Sequence, residues 1–150
     1  FTTNVLAIDE TSGELTTTDS VPRAFLYATM LSSPDYAVEV ATLNRSIIFD
    51  AADDDDQNGG GVMGGHMIIY HTPTVIQIME GVEINNFGQQ GNLGRYPIHF
   101  HMSLDVGGSL ISKNVVHHSN QRGYVMHGTH NVQVVDNVAY EVFGHCFFTE

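Results

Sequence analysis

The sequence predicts an all-β fold, wound as a solenoid of short parallel strands. Three observations predict it. The chain matches itself at a shift of 23 residues: Ile111 falls on Val134, Asn114 on Asn137, Val115 on Val138, Val116 on Ala139, Gly123 on Cys146, Tyr124 on Phe147, Val125 on Phe148 and His127 on Glu150. The apolar runs are a few residues long and are broken by Gly, Asn, Asp and Ser, which suits strands and turns. No stretch sustains a 3.6-residue period. One coil of a parallel β-helix takes about 20–25 residues, and stacked coils bury a continuous core. The competing reading is a pair of unrelated strand–turn units in a sandwich.

Taken in order, residues 1–40 form a lead-in. Thr11, Ser12, Thr16, Thr17, Thr18 and Ser20 make a hydroxyl-rich stretch that suits O-glycans or plain loop. Asn44-Arg45-Ser46 is an N-glycosylation sequon, with Asn44 as acceptor, just before the apolar run Ile47-Ile48-Phe49. Asp50 to Gly61 is a loop. Its Asp53-Asp54-Asp55-Asp56 run offers hard oxygen ligands for calcium, the one cofactor the chain suggests. Contiguous carboxylates also fit a solvated insertion. Met67–Tyr70 reads as a strand flanked by His66 and His71. In the next strand Ile98 and Phe100 alternate with His99 and His101, so the apolar pair faces the core and both histidines face outward. Asn114 and Asn137 stack at a turn, where Asn tolerates left-handed backbone and bonds its own main chain. His117-His118 is placed in a turn. Cys146, the single cysteine, closes no disulfide within this chain. It reads as a buried thiol packed in a Phe-rich strand, with pairing to a cysteine elsewhere as the alternative.

The net charge of −12, from 17 acids against five bases, excludes nucleic acid as a partner. Its long-range field also opposes a polyanionic glycan, unless local bases or bridging cations intervene. Arg45, Arg95, Lys113 and Arg122 are the local candidates. No run of about 18 apolar residues is present to span a membrane. No signal peptide is visible at the start.

Six of the nine histidines, His99, His101, His117, His118, His127 and His145, crowd into four short blocks. The strings Gly94-Arg95-Tyr96-Pro97-Ile98-His99-Phe100-His101, His117-His118-Ser119, Arg122, His127-Gly128-Thr129 and Gly144-His145-Cys146-Phe147-Phe148-Thr149-Glu150 carry a resemblance. With Gly88-Gln89, Gly64-Gly65-His66-Met67 and Ala41-Thr42-Leu43-Asn44-Arg45-Ser46-Ile47, it covers about residues 41–150. The chain resembles the β-helix region of the extracellular group that holds the cell-migration-inducing hyaluronan-binding protein, the transmembrane cell-surface hyaluronidase and fibrocystin. The resemblance implies a right-handed parallel β-helix of the pectin-lyase type over 41–150, truncated at its C-terminal end as a fragment of a larger protein. It implies that residues 1–40 are the exit of a preceding glycine-rich β domain. It also implies an extracellular or cell-surface location. The partners it points to are the remainder of a larger chain and extracellular glycans or other surface proteins.

The candidate catalytic residues are Arg95, His99, His101, His127 and Glu150. Equivalent positions on adjacent coils lie about 4.8 Å apart, so the repeat makes His127 and Glu150 neighbours, with His99 or His101 one coil earlier. Three chemistries stay open. Glycoside hydrolysis wants two carboxyls, here Glu150 and Asp105. Elimination beside a uronic acid needs a His or Tyr base and an Arg or cation. A metal site would draw on His99, His101 and Asp105. The remaining reading is a structural ladder of histidines bonded to backbone carbonyls. His71 and His130 receive no role. Two functions follow: a structural or adhesive module of a carbohydrate-rich extracellular assembly, which the acidity favours, and a glycan-binding or glycan-depolymerising, hyaluronidase-like domain.

Overall fold

The computed structural model of the chain describes residues 5–8, 11, 15–18, 41–52, 63–72 and 74–150. The Asp53–Asp56 run with its calcium expectation, Ser12, Ser20 and most of the lead-in lie outside the described residues. The chain divides into two compact units, Phe1–Val40 and Ala41–Glu150. In the first, β1 (Val5–Ile8) pairs antiparallel with β2 (Leu15–Thr17).

The second unit is a parallel β-helix, and the sandwich alternative is excluded. Its strands are β3 (Ile47–Asp50), β4 (Ile68–Ile69), β5 (Ile78–Glu80), β6 (Val82–Asn85), β7 (Ile98–Asp105), β8 (Leu110–Ser112), β9 (Val115–Ser119), β10 (Tyr124–His130), β11 (Gln133–Val135), β12 (Val138–Val142) and β13 (Phe147–Thr149). They form three sheets, ordered β4-β7-β10-β13, β5-β8-β11 and β3-β6-β9-β12. Every strand pair in these sheets is parallel. Each coil contributes one strand to each sheet, so residues distant in sequence stack in columns. Among the described residues no helix is long and apolar enough to cross a membrane.

Strand alternation builds the core. Ile98 and Phe100 of β7, fully buried, sit beside Tyr124 and Met126 of β10. Phe147 of β13 stacks on Tyr124 at 4.8 Å between ring centroids. Ile111 lies between Met79 and Val134, and Val116 between Ile84 and Ala139. Each fully buried side chain among these, such as Ile98, Phe100, Ile111 or Val116, contributes about 1.5–3 kcal/mol. The Tyr124 hydroxyl donates to the Val138 carbonyl at 3.1 Å, and burial pushes its pKa up, so it stays protonated.

The 23-residue repeat is literal. Val115 pairs with Val138, Ile111 with Val134 and Tyr124 with Phe147. The asparagines stack and bond main chain as expected, but they are not the left-handed residues. The left-handed residues are the ones before them, Lys113 (φ 54°) and Asp136 (φ 54°), matched by Gly81 (φ 68°) one coil earlier. Asn114 instead turns its side chain into the helix, fully buried. Its Nδ2 donates to the Met79 carbonyl at 2.9 Å and to Asn137 Oδ1 at 3.1 Å, and its Oδ1 accepts from the Val82 N–H at 2.9 Å. The amide satisfies backbone groups that the turn cannot pair.

Cys146 is also corrected. It is exposed and lies in the turn before β13, not in a strand. The cause is its place on the outer coil: β13 is the edge strand of its sheet. The backbone there approaches Gly123, where a Cβ would stand 2.7 Å from the Cys146 carbonyl oxygen. Only glycine fits.

Candidate functional site

The site is a column of side chains on the β4-β7-β10-β13 sheet. His101 of β7 pairs in register with His127 of β10. Their Nδ1 atoms stand 3.2 Å apart. On the β4 side, Ile69 pairs with Phe100, so Tyr70 comes beside His101, with its ring edge-on at 5.7 Å. On the far side, Met126 pairs with Thr149, and Glu150 follows beside His127, held by Gly128 N–H to Glu150 carbonyl at 2.8 Å.

His99 shares this face, as alternation requires. It is not outward in the sense of open to solvent, which corrects the sequence reading. It is only 2% exposed, because the 88–97 segment folds over it. Its Nδ1 hydrogen-bonds the Gly94 carbonyl at 2.9 Å. The Tyr96 ring packs against it at 4.9 Å. Burial holds His99 below the usual imidazole range, more strongly than the Gly94 bond raises it. Its Nε2 is buried with no hydrogen-bond partner. The ring lies 5.0 Å from His101 and stacks nearly parallel to His127 at 6.1 Å.

Arg95 joins the same cleft, which holds about 210 Å³ and is lined by Ile68, Tyr70, Gly94, Arg95, His99 and His101. Its Nη1 donates to His66 Nε2 at 2.6 Å. Burial, and secondly the Arg95 charge, lower the His66 pKa, which keeps that imidazole a neutral acceptor. Glu150 is engaged by Arg122 at 3.4 Å. Arg122 also lies 3.9 Å over the Phe148 ring and donates to the Tyr96 hydroxyl at 3.3 Å. A larger cavity of about 340 Å³ opens between Tyr124, Met126, Val134 and Phe147. It is the uncovered end of the core and carries no titratable cluster.

Of the predicted residues, Arg95, His99, His101, His127 and Glu150 gather on one face. Asp105 does not join them. Between His101 and Leu104, β7 carries one residue more than β10 does between His127 and Thr129. Met102 and Leu104 take left-handed backbone there (φ 50° and 58°). The bulge ends the alternation, turns Ser103 inward and aims the Asp105 carboxyl, at the end of β7, towards the following turn, where its Oδ1 accepts from Gly107 N–H and Asn131 Nδ2. Arg45 and Lys113 lie away from the cleft. Arg45 Nε donates to the Lys113 carbonyl and Lys113 pairs with Glu80. Asn44 is exposed, ahead of β3.

His117 and His118 are on a strand, β9, not in a turn. His117 contacts Glu83 at 3.0 Å, and His118, left-handed itself, contacts Glu141 at 2.8 Å. They hold the third sheet together across coils. His71 bonds the Ser103 carbonyl and His130 pairs with Asp105 in register. Sequence reasoning left Tyr70, His66, Tyr96 and Arg122 out of the site. Register could have found Tyr70, since the Met67–Tyr70 run had to stack on the His99–His101 strand.

Residues 62–150 match the family model described as CEMIP beta-helix. Communication mutant protein F of Dictyostelium discoideum is 37% identical over 118 residues, covering 79% of this chain and 10% of that protein. A cell surface hyaluronidase of Homo sapiens is 31% identical over 136 residues, 81% of this chain and 10% of its own. One of Danio rerio is 33% identical over 134 residues, with 79% and 10% covered. The chain thus spans about a tenth of the length of the curated relatives it matches.

Proposed function

The chain belongs to the CEMIP β-helix family, and on that footing we propose that it is part of a cell-surface or secreted protein that binds and cuts an acidic, uronate-bearing glycan of the hyaluronan type. The observation that carries this reading is the convergence of Arg95, Tyr70, His99 and His101 on one cleft, with His127 in ring contact with His101. In a chain of net charge −12, a guanidinium beside a cluster of imidazoles is the local exception that an acidic sugar requires. The cell surface hyaluronidases among its relatives support the substrate class and the location.

The donor set favours elimination over two-carboxylate hydrolysis. Beside the His99–His101–His127 column, Glu150 is the one carboxylate among the described site residues, and Asp105 faces away. In the elimination, Arg95 meets the uronate carboxylate and offsets the charge that develops when the adjacent carbon loses its proton. An imidazole accepts that proton. The glycosidic C–O bond breaks, a C=C bond forms, and the leaving oxygen takes a proton from the Tyr70–His101 side. Atoms balance without water.

The test is incubation of the intact protein with high-molecular-weight hyaluronan and other uronic-acid polymers. Elimination shortens the polymer and leaves unsaturated ends that absorb in the ultraviolet; hydrolysis shortens it without them. No shortening of any polymer by folded protein would overturn the proposal. It would leave the structural or adhesive reading, which the net charge favours.

A further inference from the structure

We propose that His99, His101 and His127 together bind one divalent transition-metal ion of the zinc type, with a coordination position open to the cleft. One ring nitrogen from each of the three lies within 4.8 Å of the others. A tetrahedral zinc with nitrogens at about 2.0–2.1 Å sets those nitrogens about 3.4 Å apart. His101 and His127 already stand at 3.2 Å, and the third ring nitrogen lies within 4.8 Å of both.

The tautomer of His99 is set for ligation. Its Nδ1 faces the Gly94 carbonyl at 2.9 Å and must donate, because a carbonyl cannot. Nε2 therefore carries a lone pair. That lone pair is buried, in a residue 2% exposed, and has no partner in the chain. A buried acceptor left so costs about 1–3 kcal/mol. A ring anchored by one nitrogen on a backbone carbonyl, with the other presented to a cluster of imidazoles, is how metal-binding histidines are oriented. At the His101–His127 contact two Nδ1 atoms face each other, and a cation between them satisfies both lone pairs.

The donor type selects the ion. Three imidazole nitrogens suit zinc, copper, nickel or cobalt, whereas calcium and magnesium take oxygen. A site with three protein ligands keeps a fourth position free. Here that position opens towards Arg95 and Tyr70, which line the same cleft. Its use in the reaction rests on the glycan reading above. With an ion bound, His99, His101 and His127 would be its ligands and not the base; the ion would supply a bound water or polarise a uronate oxygen in their place. Ion binding itself rests on the three histidines alone.

The intact protein, stripped with a chelator and dialysed, is titrated with Zn²⁺ by calorimetry and with Co²⁺ by visible absorption. The wild type is expected to bind one more ion per chain than the His101→Asn, His127→Asn double variant, with the intense bands of four-coordinate cobalt. Each single variant, H101N, H127N and H99N, is expected to weaken binding on the order of 100-fold or more. Arg95→Ala is expected to keep it. Circular dichroism identifies variants that fail to fold. Equal stoichiometry and equal cobalt spectra in wild type and a folded double variant would overturn the proposal. Polymer cutting that survives removal of the ion would sink the ion's part in the reaction and leave the glycan reading. Ion binding with no cutting of any polymer would sink the glycan reading and leave the ion.

Discussion

His127 Nδ1 lies 3.2 Å from His101 Nδ1, joined across adjacent coils by strand register and not by proximity in sequence. Both nitrogens cannot carry protons at that distance, so at least one is an acceptor. Coil stacking, not a loop, places that acceptor in the cleft, and rigid strands position sites more closely than loops do.

His127→Ala is therefore expected to lower polymer cutting by about 10²–10⁴-fold, the usual contribution of a positioned acid or base. His127 is half-buried, so thermal unfolding should shift little. Polymer size against time, read alongside a melting curve, checks both.

Arg95 is expected to act on turnover as well as on binding, because part of the charge it offsets develops only as the proton leaves. Arg95→Ala removes a charge-assisted contact to a carboxylate, worth about 1.5–3 kcal/mol, and should lower kcat/KM about 10- to 100-fold. Arg95→Lys should restore part of that, since an ammonium keeps the charge but not the fork. Steady-state kinetics on a fixed-length uronate oligomer separates KM from kcat.

Stability depends on the asparagine ladder. Asn114→Ala strands the Val82 N–H and the Met79 carbonyl in the interior and is expected to cost about 2–4 kcal/mol. Denaturant unfolding, with Lys113→Gly as a control at the left-handed position, checks this. The glycine should be tolerated or mildly stabilising to the turn.

The Arg95–His66 contact carries a pH dependence. The folded His66 pKa lies below its ordinary 6.5, through burial first and the Arg95 charge second. The unfolded chain then binds the proton more readily. Stability is fully present above about pH 6.5 and is lost as pH falls from there towards the lowered folded value. His66→Gln, which keeps an acceptor for Arg95 without titrating, should flatten that slope in denaturant midpoints measured across the window.

Much of the fold was legible because a coil repeats. The matches of Val115 with Val138 and Tyr124 with Phe147 are register pairs in the structure. The candidate site was legible in part, since alternation puts His99 and His101 on one face and the repeat brings Glu150 to His127. What the sequence hid was irregular. The bulge after His101 has no local signature, because Met102 and Leu104 are left-handed without being Gly or Asn. Unbroken alternation would set Asp105 beside the histidines, and the bulge prevents it. The burial of His99 depends on where the 88–97 segment folds back, a non-local event. Lys113 and Asp136, not the neighbouring asparagines, take the strained backbone, because a buried amide is worth more at the stacked position.

The central claim is that the imidazole column acts on an acidic glycan. The most direct measurement is the size of high-molecular-weight hyaluronan after incubation with intact wild-type protein and with its folded His101→Ala and His127→Ala variants. Shortening by the wild type, with little or none by either variant, is the expected result. Equal shortening by all three, or none by the wild type, would contradict it.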